Sequence, residues 1–320
     1  MARTTISPRT VSIIIPTHNR LQYLGEAIDS VFAQSHEHWE IIVIDDTSDD
    51  GTWEWLREKQ DGDRLRSIRL EQKSGSTITR NAGLRLARGD YCLFFDDDDH
   101  LPEDALAIQL EAIEARRDVI ATVGSVRNFD PSGFLGLLQP SKKRKIQGEV
   151  WRDVLFWWSF MLGASLFRTD TIRQVGGFDE SILFYGDDVD LWMRIGHLGS
   201  VHLIPETVIH WRFHGQQRPE GYMDMLTELG NRHAATWSPR RRAQAQRIQR
   251  ARAAVWAVRL KAGQPGNWMR QARLVASILR NPFLLTSPLS AGEIQRAVQR
   301  DIKMDPWLRR LRRPFSRKPA

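Results

Sequence analysis

Short, almost wholly apolar runs rich in β-branched residues recur along the first part of the chain, and each is followed by a longer segment with helical spacing. Residues 11–15, 40–44, 65–70, 91–95 and 119–123 read as strands. Between them, residues 21–34, 52–59, 76–87 and 102–115 read as helices, the first through Leu21, Leu24, Ile28, Val31 and Phe32 and the last with Pro102 in its first turn. Runs such as Val11-Ser-Ile-Ile-Ile15 are apolar throughout, as in strands buried on both faces. Repeated β-α-β units of this kind predict an α/β fold with a mostly parallel sheet flanked by helices.

In such sheets ligands gather outside the carboxyl ends of the strands. Those ends carry Pro16-Thr17-His18-Asn19-Arg20, then Asp45-Asp46-Thr47-Ser48-Asp49-Asp50-Gly51, then Asp96-Asp97-Asp98-Asp99. Four adjacent carboxylates repel one another and raise one another's pKa, a conflict that a divalent cation removes. Mg²⁺ or Mn²⁺ takes one or two carboxylates while phosphate oxygens and water complete its shell. Alternation along an extended segment places Asp96 and Asp98 on one side and Asp97 and Asp99 on the other. The competing reading is a solvated acidic turn that caps the following helix.

Residues 128–148 are rich in Gly, Pro and Lys and read as loop. Residues 151–167, with Trp151, Trp157 and Trp158, resume a helical or buried pattern, and 169–175 read as a short helix. The uncharged stretch 154–167 has 14 residues, against the roughly 20 of a membrane-spanning helix. Residues 1–10 lack the apolar segment of a signal peptide. Cys92 is the single cysteine, which excludes an intrachain disulfide and a cysteine-based zinc cluster and fits a reducing compartment. Neither a G-x-G-x-x-G turn nor a G-x-x-x-x-G-K-[ST] loop occurs, which argues against dinucleotide oxidoreductases and P-loop ATPases.

Six segments in order resemble the successive signatures of family 2 glycosyltransferases with the GT-A fold. They are Val11-Ser-Ile-Ile-Ile-Pro-Thr-His-Asn-Arg20, Ile44-Asp-Asp-Thr-Ser-Asp-Asp-Gly-Thr52, Thr79-Arg-Asn-Ala-Gly83, Phe94-Phe-Asp-Asp-Asp-Asp-His-Leu-Pro102, Gly176-Gly-Phe-Asp-Glu180 and Gly186-Asp-Asp-Val-Asp-Leu-Trp192. The resemblance spans residues 11–215 and implies a nucleotide-sugar donor, UDP-linked by preference. Pro16, Thr17, His18 and Asn19 would border the nucleoside, Asp46 would accept from the base, and Arg80 would serve the diphosphate or Asp46. The alternative for Asn19 and Asp45 is that they order the turn. Asp96 and Asp97 fall in the donor-binding motif and Asp98, with Asp96, in the metal site for Mn²⁺ or Mg²⁺, with the register among four aspartates open by one residue. His214 of His210-Trp-Arg-Phe-His214 matches a histidine that reaches the metal or diphosphate, with His210 as the competing choice; Arg212 would help neutralise phosphate. Asp188 is the carried-over general base of an inverting transfer, and Asp187 and Asp190 read as helix caps. Two departures stand out: Thr47, where Gly or Asn is frequent, and Ile78-Thr79, where smaller residues are. The acceptor, a glycan or lipid-linked glycan, is expected over 151–167.

Charge divides the chain. Residues 1–237 carry 26 basic and 36 acidic side chains, while 238–320 carry 20 basic and 3 acidic. The expected organisation is therefore a catalytic domain at 9–237 and a basic helical extension at 238–320, with helices near 240–261, 268–280 and 291–302. Arginines interleaved with Trp256, Trp268 and Trp307 suit an anionic membrane surface, which would make the protein cytoplasmic and peripheral at the inner face of the plasma membrane. The competing reading is a helical appendage packed on the catalytic domain. Nucleic acid is not an expected partner, since no binding motif accompanies the charge. The rival function is a non-catalytic scaffold that keeps a sugar-nucleotide fold, which would have lost its acidic turn or its base.

Overall fold

A computed structural model describes residues 9–138, 144–147, 150, 154, 160–182, 185–214, 222–246 and 248–249. Two compact units emerge, residues 1–154 with 159–219, and residues 155–158 with 220–320.

The first unit opens with β1 (Val11–Thr17), α1 (Leu21–Phe32), β2 (Trp39–Asp45), α2 (Thr52–Lys59), β3 (Leu65–Arg69), α3 (Ser76–Leu86), β4 (Tyr91–Phe94) and α4 (Ala105–Glu114), close to the expected spans. It continues with β5 (Val119–Asp130), β6 (Gly133–Leu138), β7 (Arg144–Gln147), β8 (Ser165–Arg168), α5 (Thr169–Gln174), α6 (Asp187–Ile195) and β9 (Ser200–Arg212). One sheet holds all nine strands in the order β3-β2-β1-β4-β8-β5-β9-β7, with β6 on β5. β1, β2, β3 and β4 pair in parallel, as do β5 and β9, whereas β6, β7 and β8 run against their neighbours.

Burial on both faces follows from the apolar runs. Ile13, Ile14 and Ile15 are fully buried, with Ile13 and Ile15 in the core cluster that includes Leu24, Ile28 and Val31 of α1. Ile14 points to the other face, where α3 lies so close that a Cβ on Gly83 would stand 2.3 Å from Ile14 Cγ2. A glycine in mid-helix is what brings α3, and with it Arg80, onto the sheet.

One expectation needs correction. The loop expected at 128–148 is largely strand: β5 runs on to Asp130, β6 pairs back along it, and β7 lies against β9. The Pro and Gly there mark a tight hairpin, in which Asp130 Oδ1 accepts the Ser132 amide at 2.7 Å and Gly133 takes φ 114. The described end of 151–167 is buried, as its pattern implies, and forms a 3₁₀ turn at Leu162–Ala164 followed by β8. Residues 151–153 and 155–159, where acceptor entry was expected, lie outside the described residues.

The second unit holds α7 (Tyr222–Ala235) and a helical run at 239–246. Arg242 Nε donates to the Ala234 carbonyl at 3.1 Å and Gln249 Nε2 to that of Thr227 at 3.2 Å. The helices expected at 268–280 and 291–302 lie outside the described residues. Among those described, no helix is long and apolar enough to cross a membrane.

Candidate active site

The carboxyl ends of β1, β2 and β4 meet at one rim, and β9 ends beside them. Asp45, fully buried, accepts the Ser48 amide at 3.1 Å and faces Arg69 Nε at 3.5 Å. Asn19 accepts the Asp49 amide at 2.8 Å and donates through Nδ2 to Asp49 Oδ1 at 2.7 Å. Both residues therefore brace the rim. Asn19 and Thr47 are the two non-glycine residues with positive φ among those described, at 54 and 64°. Asn tolerates that region, whereas a β-branched Thr is strained there, which gives the physical reason that Thr47 stands out from the usual Gly or Asn.

Within this frame lies a cavity of about 470 Å³ lined by Pro16, Thr17, His18, Asp46, Arg80, Asp96, Asp97, Asp98 and His214 of the expected set. Arg20, Ser76, Thr79, Trp211, Arg212 and Phe213 complete its wall. Asp46 accepts the amides of Ser74 and Gly75 at 2.7 and 2.8 Å, one on each carboxylate oxygen, and so fixes the loop that leads into α3. Each oxygen keeps a free lone pair. Lys73 Nζ donates to His18 Nε2 at 2.9 Å, which leaves Nδ1–H to donate to the Asp46 carbonyl at 2.8 Å.

Each member of the acidic turn has its own partner. Arg80 Nη2 donates to Asp96 Oδ1 at 2.9 Å. Thr17 Oγ1 donates to Asp97 Oδ2 at 2.7 Å. Asp98 Oδ2 is shared by the Arg20 guanidinium and by His214 Nε2, the latter at 2.7 Å. Asp99 accepts the Arg212 amide at 2.9 Å and faces the turn's own framework. Burial pushes Asp97 up to about 7, although Thr17 and Arg20 oppose the shift. Burial also drives Asp99 well above the ordinary carboxylate range, with help from Asp96 and Asp98. A contrast shows what strong donors do: Glu40 is buried too, yet Ser12, the Arg88 amide and Arg66 hold it below its usual value despite the desolvation.

Arg212, expected at phosphate, lines the cavity and is held firmly within it. Its guanidinium lies over the rings of Tyr23 and Phe129 at 4.8 and 4.6 Å and donates to the Asp98 carbonyl at 2.8 Å and to Glu26 at 2.5 Å. It holds the backbone of the acidic turn. His210, the rival to His214, sits outside the cavity wall, against Phe134 at 4.9 Å.

Asp188 does not line the cavity but is tied to it. Arg80, buried, donates to Asp96 with one nitrogen and to Asp187 Oδ2 at 2.5 Å with the other. Asp187 is thus an ion-pair partner at the start of α6 rather than a simple cap, while Asp190 pairs with Arg194 at 2.7 Å. Asp188, next to Asp187, accepts the Val189 amide at 2.7 Å. Burial, and then the charge of Asp187, raise it to about 7, the value suited to a base working near neutral pH. Arg20 and the aromatic pair Trp211 and Phe213 also line the cavity, though their sequence pattern does not mark them for it. Arg20 carried no signal beyond following the first-strand loop.

Comparison with known proteins adds the following. The family described as Glycosyl transferase family 2 matches residues 12–170. TuaG of Bacillus subtilis, whose name assigns it to teichuronic acid biosynthesis as a glycosyltransferase, is 39% identical over 36% of this chain and 46% of its own length. An uncharacterized glycosyltransferase of Rickettsia felis is 28% identical over 67% of this chain and 35% of its own. The chain therefore spans less than half the length of these two relatives. The Rickettsia typhi protein RT0329, also an uncharacterized glycosyltransferase, is 29% identical over 74% of this chain and 73% of its own. Among solved structures, residues 1–349 of S. aureus TarS superpose with a TM-score of 0.62 at 18% identity, covering 92% of this chain and 88% of that one. The same TarS fragment has been crystallised with UDP and with UDP-GlcNAc. At that identity the likeness establishes the fold, which is GT-A.

Proposed function

The chain belongs to glycosyl transferase family 2 through residues 12–170, and from that premise we propose that it is an inverting glycosyltransferase. It moves a sugar from a nucleotide-diphosphate donor, UDP-linked, to a glycan or lipid-linked acceptor. The observation that carries this reading is the Arg80 bridge. One buried guanidinium joins Asp96, on the cavity wall, to Asp187, the neighbour of a carboxyl poised at about 7.

In this mechanism Pro16, Thr17, His18 and Asp46 form the nucleoside end of the cavity. Asp188 takes the proton of the acceptor hydroxyl as its oxygen attacks the anomeric carbon. The bond from that carbon to the diphosphate breaks on the opposite side, and the nucleoside diphosphate leaves with the electron pair. One base suffices, and no covalent protein intermediate forms. The donor set at the acidic turn fits Mn²⁺ or Mg²⁺: Asp98 Oδ2 and His214 Nε2 meet at 2.7 Å within the cavity wall, with Asp96 in the same turn. Among the described residues no group of three or more His, Cys, Asp or Glu is placed to hold a metal ion; a cation here would take its remaining ligands from phosphate oxygens and water. When bound there, the cation supplies positive charge to the departing diphosphate. Asp188→Asn should retain UDP and Mn²⁺ binding by calorimetry and lose sugar transfer; turnover at the wild-type rate refutes the assignment.

The reading extends to place. The 9–237 part is proposed as the catalytic domain and 238–320 as a basic extension that holds the protein at the cytoplasmic face of the membrane, supported by 20 basic against 3 acidic residues.

A further inference from the structure

Three arginines serve the acidic turn, and they differ in how they are held. Arg80 is buried between two carboxylates. Arg212 is clamped between two rings and donates to a backbone carbonyl and to Glu26. Arg20 starts α1 from the loop that follows β1, and its side chain is 42% exposed. Among the described residues its guanidinium meets only Asp98 Oδ2 and, at 3.7 Å, Asp97 Oδ1. That Asp98 oxygen also carries His214, so it is the atom to which the proposed metal site assigns the cation. A guanidinium and a divalent cation cannot both sit on one face of the same carboxylate oxygen, because each needs the other's position and their charges repel.

We propose that Arg20 is a built-in counter-cation of the Asp97–Asp98 pair, and that a divalent metal ion enters only by displacing it. This inference rests on the metal site of the proposed function. Without nucleotide, Arg20 neutralises the pair and keeps metal affinity low. The donor's diphosphate changes the balance in two ways. It offers the cation further oxygens, and it offers the released guanidinium, which remains a cavity residue, an anion to pair with. Metal and nucleotide therefore bind with positive coupling, and Arg20 is the side chain that carries it. Of the three arginines, only the partly exposed one can move without unpacking the turn.

The test measures Mn²⁺ binding to the full chain by electron paramagnetic resonance, with and without saturating UDP, in wild type and in Arg20→Met, Arg20→Gln and Arg20→Lys. Both neutral variants should bind Mn²⁺ about tenfold or more tightly without UDP, and the enhancement of Mn²⁺ affinity by UDP should shrink by a similar factor, within the usual range of coupling between two ligands. Arg20→Lys, which keeps the charge, should stay near wild type. Using two neutral variants keeps the test open should one of them fold poorly. Asp98→Ala separates the two levels of the argument. If it abolishes Mn²⁺ binding while the neutral variants bind no more tightly than wild type, the counter-cation role is overturned and the metal site stands. If Asp98→Ala binds Mn²⁺ like wild type, the metal site itself is wrong and the role of Arg20 falls with it.

Discussion

Asp188 allows a prediction with both a sign and a size. Burial and Asp187 raise its carboxyl to about 7. A base with that value is about one-tenth ionised at pH 6 and about nine-tenths at pH 8, so kcat/KM should climb roughly tenfold over that interval and level off above it. The rate of UDP release from a UDP-sugar that supports turnover, in the presence of Mn²⁺, would follow the limb from pH 5.5 to 9. Asp97 also lies at about 7, so the assignment needs Asp97→Asn as a control: its limb should persist, whereas Asp188→Asn should lose the activity. Stability carries the opposite sign. A carboxyl whose folded pKa is raised binds its proton more tightly in the native state, so its contribution is favourable at low pH and is lost as pH rises from about 4 through 7. Asp188→Asn should therefore melt higher than wild type at pH 8, with the gap closing toward pH 4. A flat rate profile between pH 6 and 8, or an Asp188→Asn variant that melts lower at pH 8, would refute the reasoning.

Two further outcomes follow from geometry and a third from charge. Gly83→Ala drives a methyl to 2.3 Å from Ile14 Cγ2 and should cost about 1–3 kcal/mol by denaturant titration; an unchanged midpoint would mean that α3 does not rest on β1 as described. Thr47→Asn relieves a β-branched residue at φ 64° and should stabilise by about 1 kcal/mol, with a loss of stability counting against the strain. The 320-residue chain should float with vesicles containing anionic phospholipid and stay behind with neutral ones, and equal partitioning would remove the membrane role of 238–320.

The parallel half of the fold was legible because its signal is local. Buried runs such as Val11 to Ile15 and helices such as Leu21–Phe32 announce themselves within a few residues. The hairpin of β5 and β6 was not, since its Pro131 and Gly133 give the same signal whether they end a strand or join two, and only pairing along β5 decides. The 13-residue β9 was missed for a similar reason. Its mixed composition reads as a strand only once β5 and β7 lie on either side of it.

The site divides along the same line, and the division bears on mechanism. Asp46 and the run from Asp96 to Asp99 stand directly after strands, so topology alone delivers them to the rim. What the side chains do there depends on partners far away in sequence. Arg80, expected to serve the diphosphate or Asp46, lines the cavity and also gives one of its nitrogens to Asp187, 107 residues later. Arg212 also holds the backbone of the turn. Arg20 drew no attention and holds Asp98. Removing Arg80 should therefore do more than weaken donor binding. Arg80→Met leaves the buried Asp187 unpaired, at a cost of about 3–5 kcal/mol, and takes away a positive charge that lowers the Asp188 pKa. The ascending limb of the rate profile should then move above pH 7. A limb that stays in place would mean that the base is set independently of Arg80.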